Sequence, residues 1–182
     1  MRRHSGEAKV TPILTDRSFD IITHSPAQTF RLGEELGRLL KPGDVVCLQG
    51  GLGSGKTCLT QGIASGMGVR GVVKSPSFVF VNEHSPSTTG PCLYHVDLYR
   101  IKDARAAFAL GLEDYLYGDG VTVIEWAERA GDLLPAQRLS IFLAYLDSTK
   151  RSLLVEASGE HYAEIVTALR KQLLGYKAPR AA

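Results

Sequence analysis

The chain is predicted to fold as an α/β protein, a mixed sheet with helices on both faces, and three observations carry that prediction. Short apolar runs alternate along the chain with segments whose apolar residues recur at helical spacing. One of these runs, Asp44-Val45-Val46-Cys47-Leu48-Gln49, passes directly into a glycine-rich turn and then into a one-sided helix. With 182 residues, 44% of them hydrophobic and 22% charged, the chain has apolar material for one good core and hardly for two.

Taken in order, residues 1–17 have no periodic pattern and are expected to form a disordered leader. Residues 18–23 read as the first strand. Ser25 then offers a capping hydroxyl, Pro26 stands at the first helical position and Gln28 at the box position, so a helix should follow. Phe30, Leu32, Gly33, Leu36, Leu39 and Leu40 supply its buried face, and Lys41-Pro42-Gly43 ends it. After the strand 44–49 and the glycine-rich turn, Leu59, Ile63 and Met67 recur at i, i+4 and i+8, a helix stopped by Gly68. Residues 78–81 and 92–96 read as a hairpin joined by a Ser/Pro/Thr/Gly segment at 85–91. Residues 102–116 are helical with a break at Gly111, 121–124 form a buried strand, and 139–146 with 152–157 form a second hairpin. A last helix, 161–174, carries Ile165, Leu169 and Leu173 on one face. This makes 18–175 a single domain and 176–182 a tail.

The composition narrows the function classes. A net charge of +2 without a basic stripe argues against a nucleic-acid-gripping surface, and the basic residues Arg170, Lys171, Lys177 and Arg180 read as a solvated end. No apolar run approaches the roughly 20 residues of a membrane span, and no signal-like block follows the first residues, so a cytoplasmic protein without a membrane partner is expected. Cys47, Cys58 and Cys92 are odd in number and include no C-x-x-C pair, so buried thiols are expected rather than disulfides or a metal site.

The glycine-rich turn carries the chemistry. Gly50-Gly51-Leu52-Gly53-Ser54-Gly55-Lys56-Thr57 satisfies G-x-x-x-x-G-K-[ST] at every fixed position, between a strand and a helix. In such a loop backbone N–H groups wrap phosphates, the lysine spreads positive charge over the terminal ones, and the Thr hydroxyl ligates magnesium. An accidental match in a chain this long is about a one-in-a-hundred event. A plain turn would need one or two glycines, not four followed by Lys-Thr. The expected fold is therefore a P-loop NTPase-like mixed sheet. Hydrolysis also needs carboxylates at neighbouring strand ends. Asp97 and Glu125 each end an apolar strand in the manner of a Walker B acid, and the residues alone leave the two unranked. A small-molecule or nucleoside kinase is the rival reading, though the chain has no compact arginine-rich lid. A GTP switch would need N-K-x-D and D-x-x-G stretches, and neither occurs.

Five segments in order and spacing give a more specific resemblance. The phosphate loop, Lys74-Ser75-Pro76-Ser77-Phe78, Tyr94-His95-Val96-Asp97-Leu98-Tyr99-Arg100, Gly111-Leu112-Glu113-Asp114-Tyr115 and Ile124-Glu125-Trp126 together resemble the TsaE (YjeE) family, over roughly 19–157. That family is the ATPase component of bacterial threonylcarbamoyladenosine tRNA modification. The resemblance implies ATP and Mg2+ as cofactors, with Thr57 and Glu125 ligating magnesium. It implies that Gly53, Ser54, Gly55, Lys56, Thr57 and Cys58 hold phosphates and that Asp97 lies near the terminal one. Lys56, Asp97 and Glu125 become the catalytic set, and Arg151 matches a family position near the nucleotide. The implied partners are the threonylcarbamoyl transferase subunit and its non-catalytic paralogue, with tRNA touched only indirectly. Family members often carry proline after the E-W pair, where this chain has Ala127-Glu128, which leaves Glu128 as a spare carboxylate. Ser75-Pro76-Ser77 reads either as a loop that senses the terminal phosphate or as a proline turn. Trp126 reads as a nucleotide or partner contact or as core, Arg100 and Arg129 as solvated by default, and His95 as structural.

Overall fold

The computed structural model describes residues 15–76, 80–87 and 89–175, so residues 1–14 of the expected leader 1–17 and the tail lie outside the described residues, while Thr15 bridges Ser18 and Arg17 pairs with Glu160. Seven strands form one sheet in the order β1-β7-β6-β2-β5-β4-β3. They are β1 Ser18–Thr23, β2 Val45–Gln49, β3 Val81–His84, β4 Leu93–Asp97, β5 Val121–Glu125, β6 Arg138–Tyr145 and β7 Arg151–Ser158. The helices are α1 Pro26–Gly37, α2 Lys56–Gly66, α3 Ala104–Ala109, α4 Leu112–Leu116 and α5 Glu160–Gly175, with a 3-10 segment at Ala127–Leu133.

The central strand β2 runs parallel to both β5 and β6, and β4 runs parallel to β5. Pairings toward the edges, β3 with β4 and β1–β7–β6, are antiparallel. A parallel centre must be covered on both faces, and the side chains of β2 divide accordingly. Val46 and Leu48 pack into the core made with α1, α2 and α5, whereas Val45 and Cys47 enter a second core under α3, α4 and the 3-10 segment. The predicted mixed sheet with helices on both faces is the observed architecture.

Local chemistry sets the element ends. Ser25 Oγ accepts from Gln28 N at 3.2 Å, and the Gln28 side chain reaches back to the His24 N–H at 2.8 Å, closing a box one residue wider than the usual one. Helix α1 stops at Gly37, short of the predicted Leu40, because the chain is already turning into β2. Leu39 N bonds Leu36 O at 2.9 Å and Lys41 N bonds the Asp44 carboxylate at 2.8 Å. Strand β3 begins at Val81, later than the predicted 78–81 run, and Ser77, Phe78 and Val79 lie outside the described residues. The split of 102–116 at Gly111 is as predicted, with φ +76 at that glycine. The 3-10 segment was not predicted; Trp126 starts it in the left-handed region at φ +60.

One packing feature fixes α2 in place. Gly33 and Gly37 of α1 face Gly62 and Gly66 of α2, so the two backbones meet without side chains between them. A Cβ at Gly62 would stand 2.0 Å from Phe30 O, and one at Gly37 would stand 2.2 Å from Ile63 O. The helix that opens with Lys56 and Thr57 is thereby pressed between α1 and the sheet.

Candidate phosphate-binding site

Strand β2 ends at Gln49, the chain turns through 50–55, and α2 begins at Lys56. The turn needs its glycines. Gly50, Gly53 and Gly55 have φ of +144, +74 and +100, and a Cβ at Gly50 would meet Leu143 O at 2.2 Å. The N-terminus of α2 has no side-chain cap and no acid in its first turn, which leaves its positive end to an external anion. Lys56 curls over the loop, its Nζ donating to Gly50 O at 2.7 Å and Gly51 O at 2.9 Å, and lies 3.8 Å from the centroid of the Trp126 ring. Burial lowers the Lys56 pKa from the ordinary lysine value, while Glu125, Glu128 and Asp97 pull it the other way. A buried ammonium of this kind has much to gain from a phosphate.

The two strand-end acids are neighbours in register, Asp97 on β4 opposite Glu125 on β5. Glu125 is 2% exposed. Its Oε2 accepts from Thr57 Oγ1 at 2.8 Å, and its Oε1 receives Thr60 Oγ1 at 3.3 Å and His95 Nε2 at 2.8 Å. Asp97 is half-buried and is held by loops, with the Ser75 hydroxyl on Oδ2 and the Tyr99 N–H on Oδ1 at 2.9 Å. Loop, helix start and both acids line one cavity of about 880 Å³, whose far wall includes Ser75, Pro76, Tyr99, Arg100 and Trp126. Magnesium prefers oxygen ligands and takes one or two from protein, the rest from phosphate and water. The Thr57 hydroxyl and Glu125 carboxylate, side by side on the cavity wall, fit such an ion. Among the described residues no cluster of three or more His, Cys, Asp or Glu could hold a metal.

The remaining sequence-predicted residues fall around this centre. Arg151 reaches the loop, its Nε donating to Gly53 O at 3.1 Å while its Nη1 bonds the carbonyls of Asp147 and Lys150 at 2.8 Å each. Cys58 sits in the first turn of α2, half-buried, its thiol donating to Pro26 O at 3.3 Å. All three cysteines are free, but only Cys47 is fully buried, where burial pushes its thiol up to about 12; Cys58 and Cys92 are partly exposed, a correction to the expectation. Arg129 is not solvated by default. It ties down the segment after Asp97 through the carbonyls of Tyr99 and, at 2.8 Å, Ile101. Arg100 lines the cavity, whereas Glu128 is exposed and stands outside its lining. Sequence reasoning missed Thr60; His95, read as structural, is wholly buried beside Glu125 and stands outside the cavity lining.

Strand, glycine-rich loop and helix on a mixed sheet with two helical layers define a P-loop NTPase-like α/β protein. Comparison with known proteins narrows the class to one family. The family model described as Threonylcarbamoyl adenosine biosynthesis protein TsaE matches residues 23–153. The chain is similar to the tRNA threonylcarbamoyladenosine biosynthesis protein TsaE of Bacillus subtilis, 36% identical over 77% of this chain and 86% of the relative. It is likewise similar to the protein of that name from Treponema pallidum, 39% identical over 74% of this chain and 97% of the relative. The crystal structure of Bacillus subtilis YdiB superposes with a TM-score of 0.72 at 32% identity, covering 86% of this chain and 96% of that one. The chain belongs to the TsaE family, a family of threonylcarbamoyladenosine biosynthesis.

Proposed function

We propose that this chain is a Mg-ATP-binding and hydrolysing subunit needed for threonylcarbamoyladenosine modification of tRNA, one that acts in the cytoplasm on the transferase complex rather than forming the threonylcarbamoyl bond. The observation that carries the reading is the meeting of Lys56, Thr57 and Glu125 at the open N-terminus of α2. Gly53, Ser54, Gly55 and Cys58 complete the cradle with backbone N–H groups, and Arg151 closes it from the β7 side. Lys56 leaves the carbonyls of Gly50 and Gly51 for the terminal phosphates, exchanging neutral acceptors for charged ones. Thr57 and Glu125 would hold magnesium, which would supply Lewis-acid neutralisation of developing phosphate charge. Asp97, on the rung opposite Glu125, orients the attacking water.

Ser75 bonds Asp97 and belongs to the segment between α2 and β3, so the occupancy of the terminal-phosphate site can be passed to the protein surface there. A phosphate-loop protein with little net charge and no basic stripe is suited to signalling to a protein partner rather than to gripping RNA. The partners in this reading are the transferase subunit and its non-catalytic paralogue, with tRNA reached through them.

Calorimetry and phosphate release test the reading directly. The wild type should bind ATP in magnesium and release phosphate without transferring it to nucleosides, which excludes the kinase alternative. Lys56→Ala should lose at least about tenfold in ATP affinity, roughly 1.4 kcal/mol. The transferase pair should bind more tightly with a non-hydrolysable ATP analogue than with ADP. Unchanged ATP affinity in a folded Lys56→Ala protein, or equal partner affinity in both nucleotide states, overturns the corresponding half.

A further inference from the structure

His95 is wholly buried on β4 and does not line the cavity, so it cannot touch a bound nucleotide or metal. Its Nδ1 has no hydrogen-bond partner among the described residues, and its one polar contact is Nε2 to Glu125 Oε1 at 2.8 Å. An ionised carboxylate only accepts, so Nε2 carries the proton in this contact. A buried imidazole with a single duty, directed at the acid beside Thr57, needs a reason beyond packing.

The lone pairs of Glu125 supply that reason. A carboxylate has about four acceptor positions, two on each oxygen. Oε1 meets two donors, His95 Nε2 and Thr60 Oγ1, and is saturated. Oε2 meets Thr57 Oγ1 alone and retains an acceptor position, and both residues line the cavity. Thr60 is the lesser of the two inner donors, since its single proton is shared between Lys56 O at 3.0 Å and Glu125 Oε1 at 3.3 Å. Without the imidazole, Oε1 would lose its undivided donor and the carboxylate could rotate away from the cavity.

We propose that His95, assisted by Thr60, is a positioning residue that locks the Glu125 carboxylate so that Oε2 is presented to a divalent cation beside Thr57. The inference rests on the reading of Glu125 as the magnesium ligand. Outer partners of metal-binding carboxylates typically govern metal affinity by about 10- to 100-fold, and His95 occupies that place here without belonging to the nucleotide cradle.

The test uses the full chain in three forms, wild type, His95→Leu and His95→Gln, the glutamine amide offering an N–H near the position of Nε2. ATP affinity is measured by calorimetry across a magnesium series and again in EDTA. In His95→Leu the magnesium concentration for half-maximal tightening should rise at least about tenfold, with metal-free ATP affinity unchanged, and His95→Gln should recover most of the loss. A magnesium requirement equal to wild type in His95→Leu, or equal loss in both variants, overturns the positioning role. A wild type whose ATP affinity ignores magnesium instead removes the reading of Glu125 as a metal ligand. Nitrogen-15 spectra of the wild-type imidazole, recorded without metal or nucleotide, decide the point should His95→Leu fail to fold. A proton on Nε2 that exchanges slowly supports the lock, and a ring protonated on Nδ1 alone overturns it.

Discussion

Asp97 and Glu125 face each other across one rung of the sheet, yet they sit in different kinds of structure. Over Glu125 lies α2, which delivers two threonine hydroxyls from successive turns and is itself clamped against α1 by facing glycines. Over Asp97 lie loops, Ser75 on one side and the Tyr99 backbone on the other, with Arg129 pinning the latter. Register alone therefore does not equalise two acids. What packs over the strand end decides whether a carboxylate is buried and locked through one oxygen, as Glu125 is through Oε1, or half-open and able to respond to what enters the cavity. A metal ligand gains from the first arrangement and a group that attends to water or the terminal phosphate from the second.

The sharpest way to break this comparison is to delete each acid in turn. Glu125→Ala should raise the magnesium needed for activity at least about tenfold. Asp97→Ala should leave that requirement in place and lower turnover at saturating magnesium by roughly 100-fold. Steady-state phosphate release across a magnesium series separates the two, and reversed phenotypes would exchange their roles.

A second prediction addresses what makes the Glu125 side firm. Gly62→Ala puts a methyl 2.0 Å from the Phe30 carbonyl, a clash with backbone that no rotamer relieves. It should cost about 3 kcal/mol in urea unfolding, whereas Gly175→Ala, with nothing within 4 Å of the added carbon, should stay within about 0.5 kcal/mol of wild type. Equal stability of the two variants would mean that the α1–α2 seam does not hold the site.

The effect that is smallest at neutral pH, since it begins only above pH 9, is a pH dependence confined to the buried side. Both groups touch β2, the strand that feeds the loop: Cys47 lies within it, and the Tyr162 hydroxyl accepts from Val45 N at 2.9 Å. Burial raises the Cys47 thiol from 9.0 to about 12 and the Tyr162 phenol from 10.0 to about 12. Above pH 9 and 10 respectively the unfolded chain releases protons that the folded chain keeps, so stability falls as pH rises toward 12. Each group contributes a slope of about 1.4 kcal/mol per pH unit, and neither affects stability below pH 9. Tyr162→Phe should remove one share of the alkaline slope in urea titrations between pH 10 and 12; an unaltered slope would show that the phenol ionises as freely in the folded chain as in the unfolded one.

By itself the sequence determined the class of the fold, the order of its strands and helices, the glycine-rich turn between β2 and α2 and the two acids worth watching. These are local signals: a period of two or of 3.6, a cap at Ser25, a spacing of glycines before Lys56, each written within about a dozen residues. The tertiary structure alone decided how the acids differ. Glu125 stands 68 residues from Thr57, 65 from Thr60 and 30 from His95, and only the parallel pairing of β4 with β5 under α2 brings the four together. The glycine seam was equally hidden, because Gly33, Gly37, Gly62 and Gly66 gain meaning only when two helices far apart in the chain face each other. Trp126 offered core or ligand contact as equal choices, and its half-buried ring both packs against the second core and lies 3.8 Å from Lys56 Nζ. Local periodicity says which face of an element is buried; it carries no information about which distant polar group waits there, since that depends on strand order and register, which are settled by the packing of the whole sheet.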